Sequence, residues 1–327
     1  MSLSLFGLAP ATWVPHALHR EERAFGESNC YVDLWIEVLH ALRLDPVACL
    51  PFTLGTDFEG DQWTFFKPPL SDLRDLYGIE VEELNCWRPL LDHAVEQLKL
   101  GRLVLTEADS FFLPDTAGTD YRAKHTKTTI ALEMIDREGR RLHYFHNGGY
   151  HALAGEDFQR VFTLPGNREE GSAFPFYAEM VKLGRVIRLS RETLAERSFS
   201  LFQSHLARRL DHNPVRNFAA RLPGDIDWLR GQPLETYHAW AFAGLRQCGA
   251  SFELLARYLR WLGANGQGEF ESAASDFDRI SSTAKTFILK GARAATTGRA
   301  VDFSTLLGEM AGSWESGIGR LVASQGG

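Results

Sequence analysis

The sequence predicts an α+β region followed by an all-α region, with the change near residue 190. Three observations carry this. The segment 29–43 is apolar over most of a helical circumference, the mark of a buried helix. Short β-type runs separated by glycine- and proline-containing turns recur between 49 and 189. From Ser190 onward, apolar residues repeat at helical spacing. The simplest architecture is a buried N-terminal helix packed on an antiparallel sheet over 1–189, then a helical domain over 190–327.

Residues 1–25 read as irregular or extended. In the buried helix, Val32, Trp35, Ile36 and Leu39 lead the apolar surface, and Asp33, Glu37 and His40 form a single polar stripe. Ser28 or Asn29 caps its start. Segments 49–54 and 63–66 are short strand candidates, and 79–84 is another. Ser71 caps a short helix ended by Gly78, and Pro89 opens a second that Gly101 ends. A buried strand at 103–106 precedes a hairpin of 126–135 and 141–147, stopped by Gly148 and Gly149. A short helix near Asp157, a loop at 166–171 and a last strand at 186–189 complete the region. The second half reads as helices over 194–210, 215–221, 234–262, 270–289 and 303–322, the third interrupted at Gly249. No internal repeat or low-complexity tract is present.

Composition excludes several function classes. With 44% hydrophobic and 24% charged residues the chain is that of a folded protein. Lys+Arg 35 against Asp+Glu 42 leaves a net charge of −7, which argues against a nucleic-acid partner. Cys30, Cys49, Cys86 and Cys248 form no C-x-x-C pair, so a zinc knuckle or disulfide framework is not expected and a reducing cytoplasm fits. The N-terminus lacks a basic n-region, and no run approaches 18 uninterrupted apolar residues, so neither a signal peptide nor a membrane span is expected.

Cys30 falls at the first helical position, where unpaired N–H groups and the helix dipole stabilise a thiolate. His125 heads one strand of the hairpin and Asn147 ends the other, so an imidazole and an amide can lie side by side. This is the Cys–His–Asn logic of papain-type enzymes: thiolate attack, imidazole as base and then acid, amide as orienter. The Cys30 N–H is the natural oxyanion donor, while the glutamine that papain-type enzymes carry six residues earlier is replaced by Ala24. Each residue also has a plain structural reading: a small residue at a helix start, a strand-edge histidine, a turn residue before two glycines.

Asp109, Phe111, Phe112 and Asp115 follow a buried strand, where substrate-contacting loops lie; the two acids bind an ammonium group or cap turns. Glu27 and Asn29 are near enough in sequence to line the thiol pocket. His143, His146 and His151 suggest a metal, but residues 143 and 146 point to opposite faces of a strand, so no metal is expected and His146 stands as a fallback base. Arg208, Arg209 and Arg216 cluster either as a solvated face or as a surface for an acidic protein partner. No G-x-S-x-G, P-loop or H-E-x-x-H is present, and the glycines at 263, 266 and 268 do not follow a strand as a dinucleotide loop must.

With Cys30, the segment Asp109-Ser110-Phe111-Phe112-Leu113-Pro114, His125 and the strand to Asn147 in place, the chain resembles a bacterial family often encoded beside amino acid:carrier protein ligases. The resemblance runs nearly end to end and includes Asp211-His212-Asn213-Pro214 and the helix around 245–254. More distantly, the chain is similar to the butirosin biosynthesis protein H type of papain-fold acyltransferase. That resemblance implies a papain-like catalytic domain that moves an acyl or aminoacyl group from a carrier-protein phosphopantetheine thioester, through an acylated Cys30, to an amine or hydroxyl acceptor. His125 would relay protons, and the distant relatives more often carry an acid where Asn147 stands. The implied partners are a carrier protein and a small-molecule acceptor; no cofactor would be bound by the chain itself. Two alternatives stand beside it: a papain-like peptidase or amidase, and a non-catalytic carrier-binding protein.

Overall fold

The computed structural model describes residues 2–162, 177–297 and 301–324; the loop expected at 166–171 lies outside them. The chain divides into two compact units, one of Met1–Arg20, Cys30–Pro46 and Leu70–Arg188, the other of Glu21–Asn29, Val47–Pro69 and Leu189–Gly327.

The first unit is an antiparallel sheet with helices on both faces. Its strands are β1 (Ser2–Ser4), β2 (Glu80–Glu83), β3 (Arg102–Asp109), β4 (Lys127–Asp136), β5 (Arg141–His146), β6 (Gly149–Ala154) and β7 (Ala178–Lys182). They lie in the order β2-β7-β3-β4-β5-β6, with β1 beside the far end of β4. Its helices are α1 (Ala17–Arg20), α2 (Cys30–Ala41), α3 (Leu70–Tyr77), α4 (Leu90–Lys99) and α5 (Glu156–Val161). Alternation along the strands separates two cores. Val104, Ala108, Ile130, Leu132 and Tyr144 pack with Leu90, Ala94 and Leu98 of α4 and Phe158 of α5. The opposite face, with Leu105, Ala131 and Phe145, meets α2, which packs on β4, β5 and β6.

Helix α2 is buried along nearly its whole length, including its acids: Asp33 and Glu37 are both 0% exposed. His19 lies between them, Nδ1 at 2.6 Å from Glu37 and Nε2 at 3.3 Å from Asp33. Glu37 also accepts from Trp13 Nε1 and the His16 N–H, both at 2.9 Å. The polar stripe legible in the sequence is therefore an internal ionic network, because buried carboxylates need donors around them.

Four local differences from the sequence expectation have clear causes. Segment 49–54 falls across the end of one 3₁₀ turn, Pro46–Cys49, and most of a second, Pro51–Gly55, and 63–66 makes only an isolated bridge between Phe58 and Trp63. Pro46 and Pro51 open these turns with a fixed φ and no N–H for a ladder. Gly148 and Gly149 do not end the sheet: His146 pairs with Gly149, and the two-residue turn at 147–148 feeds β6. Asn147 takes φ 46°, the left-handed conformation such turns require and asparagine tolerates. Residues 186–189 form no strand; β7 precedes them and pairs with both β2 and β3. Residues 2–4, expected to be irregular or extended, add β1, with Glu133 receiving the Ser4 hydroxyl at 2.7 Å and the Phe6 N–H at 2.6 Å.

The second unit is helical: α6 (Arg191–Ala207), α7 (Pro214–Leu229), α8 (Leu234–Ala241), α9 (Gln247–Ala264), α10 (Glu271–Thr297) and α11 (Ser304–Ala323). Helix α9 packs on α10, which also packs on α11. Phe252 stacks on Phe277 with centroids 5.7 Å apart. The expected helix over 234–262 is interrupted by a π turn at Phe242–Arg246, not at Gly249, which sits inside α9. Gly249 instead admits a ring: a Cβ there would lie 2.3 Å from Phe25 Cε2. Glu253, one turn along, receives the backbone N–H groups of Ala24 and Phe25 at 2.7 and 3.1 Å. Among the described residues, no helix is long and apolar enough to cross a membrane.

Two outcomes follow. Burial works to lower the His19 pKa, but its hydrogen bonds to Asp33 and Glu37 and their charges outweigh that and raise it to about 9. The stabilisation is therefore complete below the unfolded value of about 6.5 and is lost as pH rises through 9. Melting temperature should fall over that window, and the fall should shrink in His19→Gln. Gly249→Ala should destabilise by about 1–3 kcal/mol in urea titrations, since overpacking against Phe25 exceeds the gain in helix propensity.

Candidate active site

The end of β3 gathers four of the residues singled out from the sequence, Asp109, Phe111, Phe112 and His125. Asp109 closes the strand, and its carboxylate accepts two hydrogen bonds. Oδ1 receives the Phe111 N–H at 3.1 Å, capping the 3₁₀ turn Ser110–Phe112, and Oδ2 lies 2.6 Å from His125 Nδ1. The acid side chain is 6% exposed and the imidazole 59%. A buried carboxylate facing Nδ1 puts the proton on that nitrogen and leaves Nε2 as the basic one. Among the described residues, Nε2 has no hydrogen-bond partner.

The ring is fixed from a second direction. His125 stacks on Phe111 at 4.3 Å with planes 12° apart, and Phe112 stands edge-on at 6.3 Å. Arg122 spreads over both phenyl rings at 5.8 and 5.6 Å and pairs with Asp157 of α5. Register brings these residues together: Asp109 pairs with Lys127 across the sheet, and His125 precedes Lys127 by two positions.

Cys30, a free and half-buried thiol, is the first residue of α2. Next to it, the Tyr31 hydroxyl donates to Glu179 Oε2 of β7 at 2.8 Å. Glu179 pairs with Leu105, and directly paired residues share a face, so the start of α2 lies on the face of the sheet that carries Leu105 and Asp109. No hydrogen bond joins Cys30 to His125 among the described residues. The group holding the His125 ring is Asp109, not Asn147, whose backbone is committed to the β5–β6 turn.

The other expected residues have identifiable local work. Asp115, in the β3–β4 loop, is bound through its carboxylate to the Tyr144 hydroxyl and to His146 Nδ1 at 2.6 Å. Burial pushes its carboxyl up, but the His146 hydrogen bond and charge, the His151 charge and Tyr144 together hold it below the usual carboxylate range. His146 is 2% exposed, with Nε2 on Thr128 at 2.8 Å, which closes it off as a fallback base. Asn29 is buried and its amide donates to Phe66 O and Gln247 Oε1 at 3.0 and 3.3 Å. Glu27 pairs with Arg246 at 3.4 Å. Arg208 and Arg209 donate to carbonyls in the last turns of α6, and Arg216 pairs with Glu315 at 2.8 Å. No group of three or more His, Cys, Asp or Glu among the described residues could hold a metal ion.

Sequence reasoning missed the orienting role of Asp109, Arg122 with its aromatic pair, and His19 within the α2 network. For Asp109 a signal existed, an acid ending one strand with a histidine just before the next. Arg122 and His19 have no local pattern to betray them.

Two family profiles match the chain, the DUF1839 N-terminal domain over residues 14–183 and the DUF1839 C-terminal domain over 191–323. No curated protein matches it. The chain belongs to the DUF1839 family.

Asp115→Ala strips two buried groups, Tyr144 and His146, of their acceptor at once. It should cost about 2–4 kcal/mol in denaturant unfolding, at the upper end of single buried hydrogen-bond losses.

Proposed function

We propose that this protein is a cysteine-dependent acyltransferase in which Cys30 carries the acyl group and the Asp109–His125 pair moves protons. One observation carries the reading: a buried acid holds Nδ1 of an exposed imidazole, leaving Nε2 free, on the sheet face where the Cys30 helix begins. The arrangement fits a Cys–His–Asp relay rather than the Cys–His–Asn one expected from sequence.

In this mechanism His125 Nε2 takes the Cys30 thiol proton, and the sulfur attacks a thioester carbonyl. The tetrahedral oxyanion rests against N–H groups at the head of α2. Its collapse breaks the bond to the donor sulfur, which leaves with the proton held on Nε2. An amine or hydroxyl acceptor then gives its proton to Nε2 as it attacks the Cys30 thioester, and the proton returns to the cysteine sulfur. Asp109 stabilises the imidazolium at both stages without taking the proton. Phe111 and Phe112 form an apolar wall beside the ring, and excluding water favours transfer over hydrolysis. The donor in this reading is the phosphopantetheine thioester of a carrier protein, as the resemblance to butirosin-type acyltransferases implies, and the four free cysteines suit a reducing cytoplasm.

A hydrolase reading has one observation in its favour: the 59% exposure of the His125 side chain leaves Nε2 open to water. Peptidase or amidase activity without any carrier would then replace transfer.

Incubation with an acyl-loaded carrier protein should give a mass adduct on Cys30, absent in Cys30→Ala. Asp109→Asn should slow acylation by about 10²-fold or more, as loss of an orienting acid does elsewhere, while Asn147→Ala should stay within about twofold. No adduct on the wild type, together with unaltered turnover in Cys30→Ala, would refute this chemistry.

A further inference from the structure

The helical unit contains a cleft of 540 Å³, within the range of small-molecule pockets. Phe25 forms one wall, and Phe242, Ile288 and Leu289 contribute the other apolar surfaces. Phe242 is 47% exposed and Leu289 64%, so two large apolar side chains face solvent at a single opening.

The backbone here is unusual in a way that serves the opening. The π turn Phe242–Arg246 interrupts the otherwise continuous α8–α9 helix, and such turns re-aim side chains at a cost to helix regularity. Both of its end residues line the cleft. The Arg246 guanidinium lies 4.8 Å from the Phe242 ring centre and pairs with Glu27 at 3.4 Å, so its charge is answered locally. Lys285, also at the cleft, has no ion-pair partner among the described residues. Among the described residues, the cleft thus sets one lysine without an ion pair beside apolar walls.

We infer that this cleft binds an amphiphilic carboxylate, its aliphatic body against Phe25, Phe242, Ile288 and Leu289 and its carboxylate on Lys285. Among the described residues lining the cleft, Lys285 is the one lysine or arginine without an ion-pair partner, which suits a monoanion; a phosphate dianion would leave charge unmatched. The site lies wholly in the helical unit and does not depend on the chemistry of Cys30.

Decanoate, titrated calorimetrically into the full chain below its micelle concentration, should bind saturably at one site. Lys285→Glu and Leu289→Asp change exposed residues, so folding should survive, and each should weaken binding by about tenfold or more. Decyltrimethylammonium should bind about tenfold more weakly than decanoate. Cys30→Ala should bind decanoate as the wild type does, which separates this site from the acyl-transfer reading. Absence of saturable binding, or equal binding in both cleft variants, overturns the inference. So does binding to phosphatidylglycerol vesicles without binding of free decanoate, which would assign the cleft to a membrane surface. Self-association lost in Leu289→Asp, with no decanoate uptake, would give the cleft to a second copy of the chain and equally overturn it.

Discussion

A carboxylate removed from water has to be answered by donors, and this constraint recurs throughout the described structure. Asp33 and Glu37 enclose His19, and Glu133 collects the Tyr150 hydroxyl, the Ser4 hydroxyl and a backbone N–H from the N-terminal segment. Asp115 of the β3–β4 loop holds Tyr144 and His146 of β5, Glu179 holds Tyr31 at the head of α2, and Glu253 holds the backbone at Ala24 and Phe25. Most of these acids tie segments distant in sequence to a strand or helix. Apolar packing supplies the bulk of the burial, but the acids set which segment lies where, because each has few partners that satisfy its geometry.

Asp109 belongs to the same pattern with a different consequence. Its partner ring is exposed where His19 and His146 are buried, so the hydrogen bond that satisfies the acid also presents a free imidazole nitrogen to solvent. Buried histidine–acid pairs lock structure; a pair with one half in water can exchange protons. Stacking on Phe111 and the Asp109 bond constrain the ring in two directions, and preorganisation of this kind is what proton transfer requires. In the helical unit, the π turn is likewise a departure from regularity, one that leaves Phe242 exposed while Leu245 packs inside.

Much of the architecture was legible in the chain. The apolar circumference of 29–43, the hairpin around 136–139 and the helical periodicity after 190 all depend on neighbours close in sequence, and the structure has elements there. Prolines misled at 49–54, where apolar residues resembling a strand are held in 3₁₀ turns. The glycines at 148 and 149 read as a stop and proved to be a tight turn into another strand, since Asn147 can adopt the left-handed backbone that such a turn needs.

Sequence by itself determined the class of the two regions, the buried helix with Cys30 at its head, and the presence of a histidine beside a hairpin. Those features follow from periodicity and capping, which are local. Tertiary structure alone decided that Asp109 rather than Asn147 orients His125, that the acidic stripe of α2 is internal, and that segments 21–29 and 47–69 group with the helices. Each of these depends on strand register and on which donors meet a carboxylate once water is gone, and neither is encoded in any single stretch of chain.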